Sequence, residues 1–149
     1  MAEGFDCREM RRLLRRLDNA DVEQACRRIL NEVGQEYLAD VKNNTAPGDY
    51  SGNVHGYEKT GGTLRRSWTT TGVQRTADGL QLEITNPIKY GIYVEEGHRQ
   101  NVGQFVPAIG KRLVQPAVQG KHFVRDSCKQ SRRKVMPIAR DVVGRLLRG

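Results

Sequence analysis

From Val22 to Val41, apolar residues return at three- and four-residue steps: Val22, Ala25, Cys26, Ile29, Val33, Tyr37 and Val41. That recurrence is helical. It draws one apolar face along about five turns, roughly 30 Å at 1.5 Å per residue. A helix with a single apolar face must be covered by another layer, so this stretch commits the chain to a packed domain. Asn19 or Asp21 supplies an N-cap. Pro47 sets the far limit, because the residue before a proline is driven out of the helical region. Gly34 costs such a helix roughly 1 kcal/mol relative to alanine, and a close packing contact at that point would account for it.

A shorter helix is expected before it, over Cys7 to Leu17. Asp6 caps it, Leu13, Leu14 and Leu17 form its apolar stripe, and Arg8, Arg11, Arg12, Arg15 and Arg16 cover the rest. After the long helix, the glycine-broken stretch 46–62 reads as a mobile loop, with Tyr50 and Tyr57 available to anchor on a partner. A strand-rich centre follows. Leu64 to Thr71 carries Trp68 and three threonines, a composition suited to a strand. Ala77-Asp78-Gly79 is a turn, and Leu80, Leu82 and Ile84 alternate with Gln81, Glu83 and Thr85. Asn86-Pro87 turns the chain again. Ile88, Tyr90, Ile92 and Val94 then alternate, which predicts a further strand and an antiparallel meander. The alternative is a short helix over Tyr90 to Glu95, since Tyr90 and Val94 also stand one turn apart.

The segment 97–120 reads as a second long mobile loop, with a weak hairpin joining Phe105-Val106-Pro107 to Leu113-Val114 around Ile109-Gly110-Lys111. Asp126 or Ser127 caps a last helix, with Cys128, Val135, Ile138, Ala139, Val142 and Leu146 on its apolar side. Pro137 is expected to kink or split it. The expected fold is α+β: two N-terminal helices, a small antiparallel β-sheet with long mobile loops, and a C-terminal helix packed on the sheet. The 149 residues fit one domain.

Composition narrows the function. Hydrophobic residues are 37% and mean hydropathy is -0.66, enough for one thin core. The formal charge of +8 favours an anionic partner without choosing among nucleic acid, acidic protein and lipid. No apolar run approaches the roughly 20 residues of a membrane span. Met1 to Asp6 has no apolar signal core, so synthesis in the cytoplasm is expected. Cys7, Cys26 and Cys128, odd in number and without paired spacing, read as free thiols.

Chemistry finds no constellation. Glu95, Glu96 and His98 stand close together, but a catalytic zinc centre uses three protein ligands plus an open position, and no further local ligand supports one. Ser67 and Ser127 lack a nucleophile-elbow context. Cys26 lies on the buried stripe, and the basic neighbours of Cys7 and Cys128 are ordinary in so basic a chain. Thr60-Gly61-Gly62-Thr63 lacks the Gly-Lys-Ser/Thr ending of a phosphate loop. No cofactor and no metal are expected. Arg11, Arg12, Arg15 and Arg16 on the first helix, and Arg132, Arg133 and Lys134 on the last, form two basic clusters. Either would attract duplex phosphates, yet no recognition helix or aromatic-lined groove accompanies them. A solvated or interface-forming face is the preferred reading, and a basic nucleic-acid-binding module is the alternative.

Three segments carry a resemblance: Thr60-Gly61-Gly62-Thr63-Leu64-Arg65-Arg66-Ser67, then Tyr90-Gly91-Ile92-Tyr93-Val94-Glu95-Glu96-Gly97-His98, then Gly120-Lys121-His122-Phe123-Val124-Arg125. In order and spacing the chain resembles the head–tail joining proteins of long-tailed bacteriophages, the neck, tail-completion or minor tail type. The first segment is one residue longer than the commonest spacing, and Glu96 stands where an aromatic residue is common. The resemblance implies a single joining domain over 1–149 and a structural, non-enzymatic virion protein at the neck between the DNA-filled head and the tail. Its implied partners are further copies in a hexameric or dodecameric ring, portal-proximal or tail-tube proteins, and DNA touched non-specifically in the lumen. No membrane or small-molecule substrate is implied. Under that reading Tyr90, Tyr93, Glu95, His98, Phe105 and Phe123 are the expected interface residues. Arg11, Arg12, Arg15, Arg16, Arg132 and Arg133 are the expected basic lumen or partner face.

Overall fold

The computed structural model describes residues 19–48 and 61–148. The expected first helix, with Arg11, Arg12, Arg15 and Arg16, lies outside the described residues, as do Tyr50 and Tyr57. The order from Asn19 is α1 (Asn19–Asn44), α2 (Thr63–Arg66), β1 (Thr69–Thr76), β2 (Gly79–Thr85), α3 (Gly91–Glu96), β3 (Gly97–Arg99), β4 (Phe105–Val106), a 3₁₀ turn (Pro107–Ile109), β5 (Lys111–Arg112), β6 (Ala117–Gln119) and α4 (Phe123–Arg148). The fold is α+β. Among the described residues the strands pair in three antiparallel two-stranded ribbons, β1–β2, β3–β6 and β4–β5.

The apolar stripe of α1 is real, with Ala25 and Val41 fully buried on it. α1 and α4 lie against each other along their length. A polar seam sets their antiparallel register. Glu32, Glu36, Asp40 and Asn44 recur every four residues on α1, one turn apart on one face. Across the seam Glu32 meets Arg145 at 3.6 Å. Lys134 bridges Glu36 at 2.8 Å and Asp40 at 2.9 Å. The Ser131 hydroxyl donates to Asp40 at 3.2 Å, and the Asn44 amide donates to the Ser127 hydroxyl at 2.9 Å. Lys134 is thus spent on the seam and leaves the expected basic cluster.

Ser127 and Ser131 are buried, whereas Cys128 is exposed with its thiol 3.6 Å from the Tyr37 hydroxyl. The buried row of α4 therefore begins with Phe123, Ser127 and Ser131, not with Cys128. Small hydroxyl side chains serve there because the Ser127 hydroxyl returns a hydrogen bond to the Phe123 carbonyl at 2.6 Å. Pro137 does not split α4. It and Arg133 are both exposed, so the carbonyl that loses its helical donor faces water.

The β1–β2 hairpin rests on α1. Leu80, Leu82 and Ile84 point inward as their alternation requires, and Leu82 explains Gly34. A Cβ at Gly34 would stand 2.7 Å from the Leu82 Cδ1. The expected strand over Leu64 to Thr71 is corrected. Thr63–Arg66 is a helical turn that drives Leu64 inward, and the strand begins only at Thr69. Between them Trp68 is buried beside Val41, Leu64 and Phe123. Its ring stands edge-on to Phe123 at 6.0 Å, and its indole N–H donates to the Thr45 hydroxyl at 3.1 Å. Thr45 in turn donates to the Val41 carbonyl, closing α1. Among the described residues no buried side-chain polar atom lacks a partner.

Candidate functional site

The strand expected over Ile88 to Val94 is corrected too: Gly91–Glu96 is helical. Asn86 sets this up. Its side-chain amide donates to the Leu64 carbonyl at 2.7 Å, and its side-chain oxygen accepts from the Ile88 amide at 3.1 Å. The bend so fixed delivers Tyr90 at the N-terminus of α3, where its carbonyl accepts from the amides of Tyr93 and Val94. One helical turn turns Val94 toward the core cluster and leaves Tyr90, Ile92 and Tyr93 exposed.

Glu95 faces inward from the same turn. Its carboxylate accepts from the amides of Val124 at 3.0 Å and Arg125 at 3.2 Å. These are orphan donors of the first turn of α4, so Glu95 caps that helix from another element. The expected cap, Asp126 or Ser127, lies inside the helix instead. The cap comes from a residue 29 and 30 positions before the amides it accepts from, beyond the reach of any local capping pattern. Phe123 is 3% exposed and belongs to the core, not to a surface.

Between α3 and α4 the chain leaves the body and returns. Gly97 and Gly120 cross at the root of this excursion. A Cβ on Gly97 would stand 2.5 Å from the Val118 carbonyl oxygen, and one on Gly120 would stand 2.3 Å from the Glu95 carbonyl oxygen. Glycine alone permits so close a passage. Outward from there β3 pairs with β6, matching His98 to Val118. The Gln100 amide donates to the Pro116 carbonyl at 2.8 Å, and the Leu113 amide to the Gln104 carbonyl at 2.9 Å. β4 then pairs with β5, matching Phe105 to Arg112. The segment expected as a loop with a weak hairpin is one long two-stranded arm. Its tip pairs Phe105-Val106 with Lys111-Arg112, slightly earlier than expected. The polar, non-periodic β3 and β6 gave no sequence signal for their pairing.

The arm stands away from the core. Asn101 to Phe105 and Val114 to Gln119 are exposed throughout. At the root of the arm His98 stands opposite Val118, and at its tip Phe105 stands opposite Arg112. The Tyr93 ring meets the His98 ring edge-on at 6.0 Å, so α3 touches the root of the arm. Tyr93, His98 and Phe105, expected at an interface, are all exposed, the first two at the root and Phe105 at the tip. The outer part of the arm is bare and apolar, with Phe105 52% and Val114 82% exposed.

Beside α3 lies an open groove of about 470 Å³, lined chiefly by Leu64, Trp68, Ile84, Ile88, Ile92 and Val124. Tyr90 stands exposed one residue from its Gly91 wall. Arg132 and Arg133 are exposed on α4 with Arg125 and Lys129, the latter two sharing Asp126 at 3.9 Å each. Among the described residues no cluster of three histidine, cysteine or carboxylate side chains could hold a metal ion. Glu95 is committed to the start of α4. No described helix is long and apolar enough to cross a membrane.

Residues 8–97 match the model of the family described as "Bacteriophage HK97-gp10, putative tail-component". No curated protein and no solved structure matches the chain. The match covers more than half of the chain and ends where the arm begins. The chain belongs to the HK97-gp10-like family of bacteriophage tail components.

Proposed function

We propose that the protein is a non-catalytic virion component of the neck, where it joins the DNA-filled head to the tail and completes tail attachment. The observation that carries this reading is the exposed apolar surface of the arm, with Val102, Phe105, Val114 and Val118 bare. A two-stranded ribbon with a bare apolar face is marginal alone in water and is stabilised by packing against another surface. Tyr93 and Phe105 are the aromatic type that anchors interfaces. Membership of a family of phage tail components supports the reading. The partners so implied are further copies in a closed ring, hexameric or dodecameric, and portal-proximal or tail-tube proteins. Assembly follows synthesis in the host cytoplasm. Deleting the gene tests the role: separate filled heads and finished tails are the expected product. Complete infectious particles from the deletion would overturn it.

The exposed cations Arg125, Lys129, Arg132 and Arg133 favour a second reading, a surface for duplex DNA, either in a ring lumen or as a free binding module. It requires binding that weakens steeply with salt. No binding to duplex at about 0.15 M salt removes it.

A further inference from the structure

The arm carries an unbalanced charge as well as a bare apolar surface. We propose that it docks in an apolar cleft rimmed by carboxylates on a different virion protein. The proposal rests on the virion-component reading and states the chemistry of the partner that the arm fits.

From Gly97 to Gln119 the arm holds Arg99, Lys111 and Arg112 and no aspartate or glutamate. All three cations are exposed. The Arg112 guanidinium donates to the Gly103 carbonyl at 2.6 Å, within the arm itself. A surface with one sign of charge is complemented by the opposite sign on its partner. This chain has few carboxylates to offer in that role. Glu23, Glu32, Glu36, Asp40, Asp126 and Asp141 each sit in an ion pair within the copy. Glu95 caps α4. Asp78, Glu83 and Glu96 stand outside these pairs, one in the turn before β2, one on β2 and one on α3. A second copy as a whole brings a formal charge of +8 and repels the arm. The acid must therefore come from another molecule.

The other side chains of the arm decide which anionic molecule that is. Val102, Phe105 and Val114 are each more than half exposed. Duplex DNA meets a protein mainly through phosphate and sugar, which would leave these side chains uncovered. Three cations are also fewer than the roughly 6–10 phosphate contacts on which strong duplex binding rests. A lipid interior would cover the apolar side chains but not their neighbours. Asn101, Gln104 and Gln115 are interleaved with them and exposed, and their amides need hydrogen-bond partners that hydrocarbon lacks. A protein cleft supplies all three needs: apolar cover, polar partners and a carboxylate rim.

The test uses assembled particles and the full chain. A photo-crosslinking phenylalanine analogue is placed at position 105, and the particles are irradiated and digested. Mass spectrometry identifies the peptide joined to it. A peptide of a different virion protein is expected, with aspartate and glutamate in excess over lysine and arginine. Arg99→Glu with Lys111→Glu reverses two exposed charges. It is expected to cut incorporation into particles at least about tenfold, because like charges across an interface are strongly disfavoured. Arg99→Lys with Lys111→Arg keeps the charge and is expected to incorporate like wild type. Exchanging a carboxylate of the crosslinked peptide for lysine is expected to restore the reversed variant. Circular dichroism reports whether each variant keeps the wild-type helix content. The crosslink is read on the wild-type charges, so it identifies the partner whether or not the reversed variant folds.

Crosslinks to another copy, to DNA or to a peptide without an acidic excess overturn the proposal. So does the absence of any crosslink from particles that contain the protein. A reversed variant that folds and incorporates like wild type overturns it too, as does loss of incorporation in the charge-keeping pair. In each of these cases the virion role stands. Finished particles that lack the protein remove that role, and the proposal with it.

Discussion

The body and the arm are built on opposite terms. In the body, α1 and α4 bury small and apolar side chains against each other, Trp68 and Phe123 pack edge-on, and among the described residues no buried side-chain polar atom lacks a partner. In the arm, two short ribbons pair backbone to backbone but the large side chains are bare. The body therefore owes its order to burial within one copy. The arm has little burial of its own, so its apolar face gains most when another surface covers it. Substitutions separate the two.

The largest effect is expected in the body. Trp68→Ala removes a buried ring that touches Phe123 and donates to Thr45. A loss of about 3–5 kcal/mol is expected, much of the stability of a typical domain. Denaturant unfolding measures it. On the arm, Phe105→Ala and Val114→Ala should each fall within about 0.5 kcal/mol of wild type in the free chain. A comparable loss at Phe105 would dissolve the contrast.

A smaller effect is expected at the junction. Glu95→Ala leaves the Val124 and Arg125 amides uncapped, at a cost of about 1 kcal/mol. Glu95→Gln keeps a hydrogen-bond acceptor but loses the charge, so its cost should fall between wild type and Glu95→Ala. Chemical denaturation ranks the three, and equal stability would mean that α4 does not depend on α3 for its cap.

The smallest effects lie on the seam. A double-mutant cycle between Lys134 and Asp40 should read roughly 0.5 kcal/mol, since water screens a lysine more than a third exposed. Hydrogen bonds to Glu36 and Asp40 raise the Lys134 ammonium above its ordinary 10.5. Burial, then the Cys128 thiol, raises the Tyr37 phenol above its ordinary 10.0. Both groups hold their protons longer when folded, so the unfolded chain binds fewer protons in that range. Their contribution is complete below pH 10.0 and is lost as pH rises beyond it. Stability measured between pH 8 and 11 should decline only in the upper part, and a decline setting in near pH 8 would point to other groups.

The regions legible in the sequence are those where burial imposes a period. The α1 stripe and the alternation of β2 each follow from one face meeting the core. Elsewhere distant residues decide. Ile88 to Val94 fits a strand and a helical turn equally in spacing, and the hydrogen bonds of Asn86 to Leu64 and Ile88 fix the bend that leads into the turn. The start of α4 rests on a carboxylate from α3, outside any local window. Of the expected interface residues, Tyr93, His98 and Phe105 are exposed, as aromatic residues in polar surroundings signal. Tyr90 stands exposed by the groove, whereas Glu95 and Phe123 turn inward, Glu95 to cap α4 and Phe123 into the core.

Hydrogen exchange of the full chain, compared between dilute and assembled protein, tests the division between body and arm most directly. In dilute protein the arm amides of Gln100, Gly103 and Leu113 should exchange at least about 100-fold faster than the central amides of α1, and on assembly they should slow toward the body's rate. Arm amides as protected as α1 in the dilute chain, or unchanged on assembly, would contradict it.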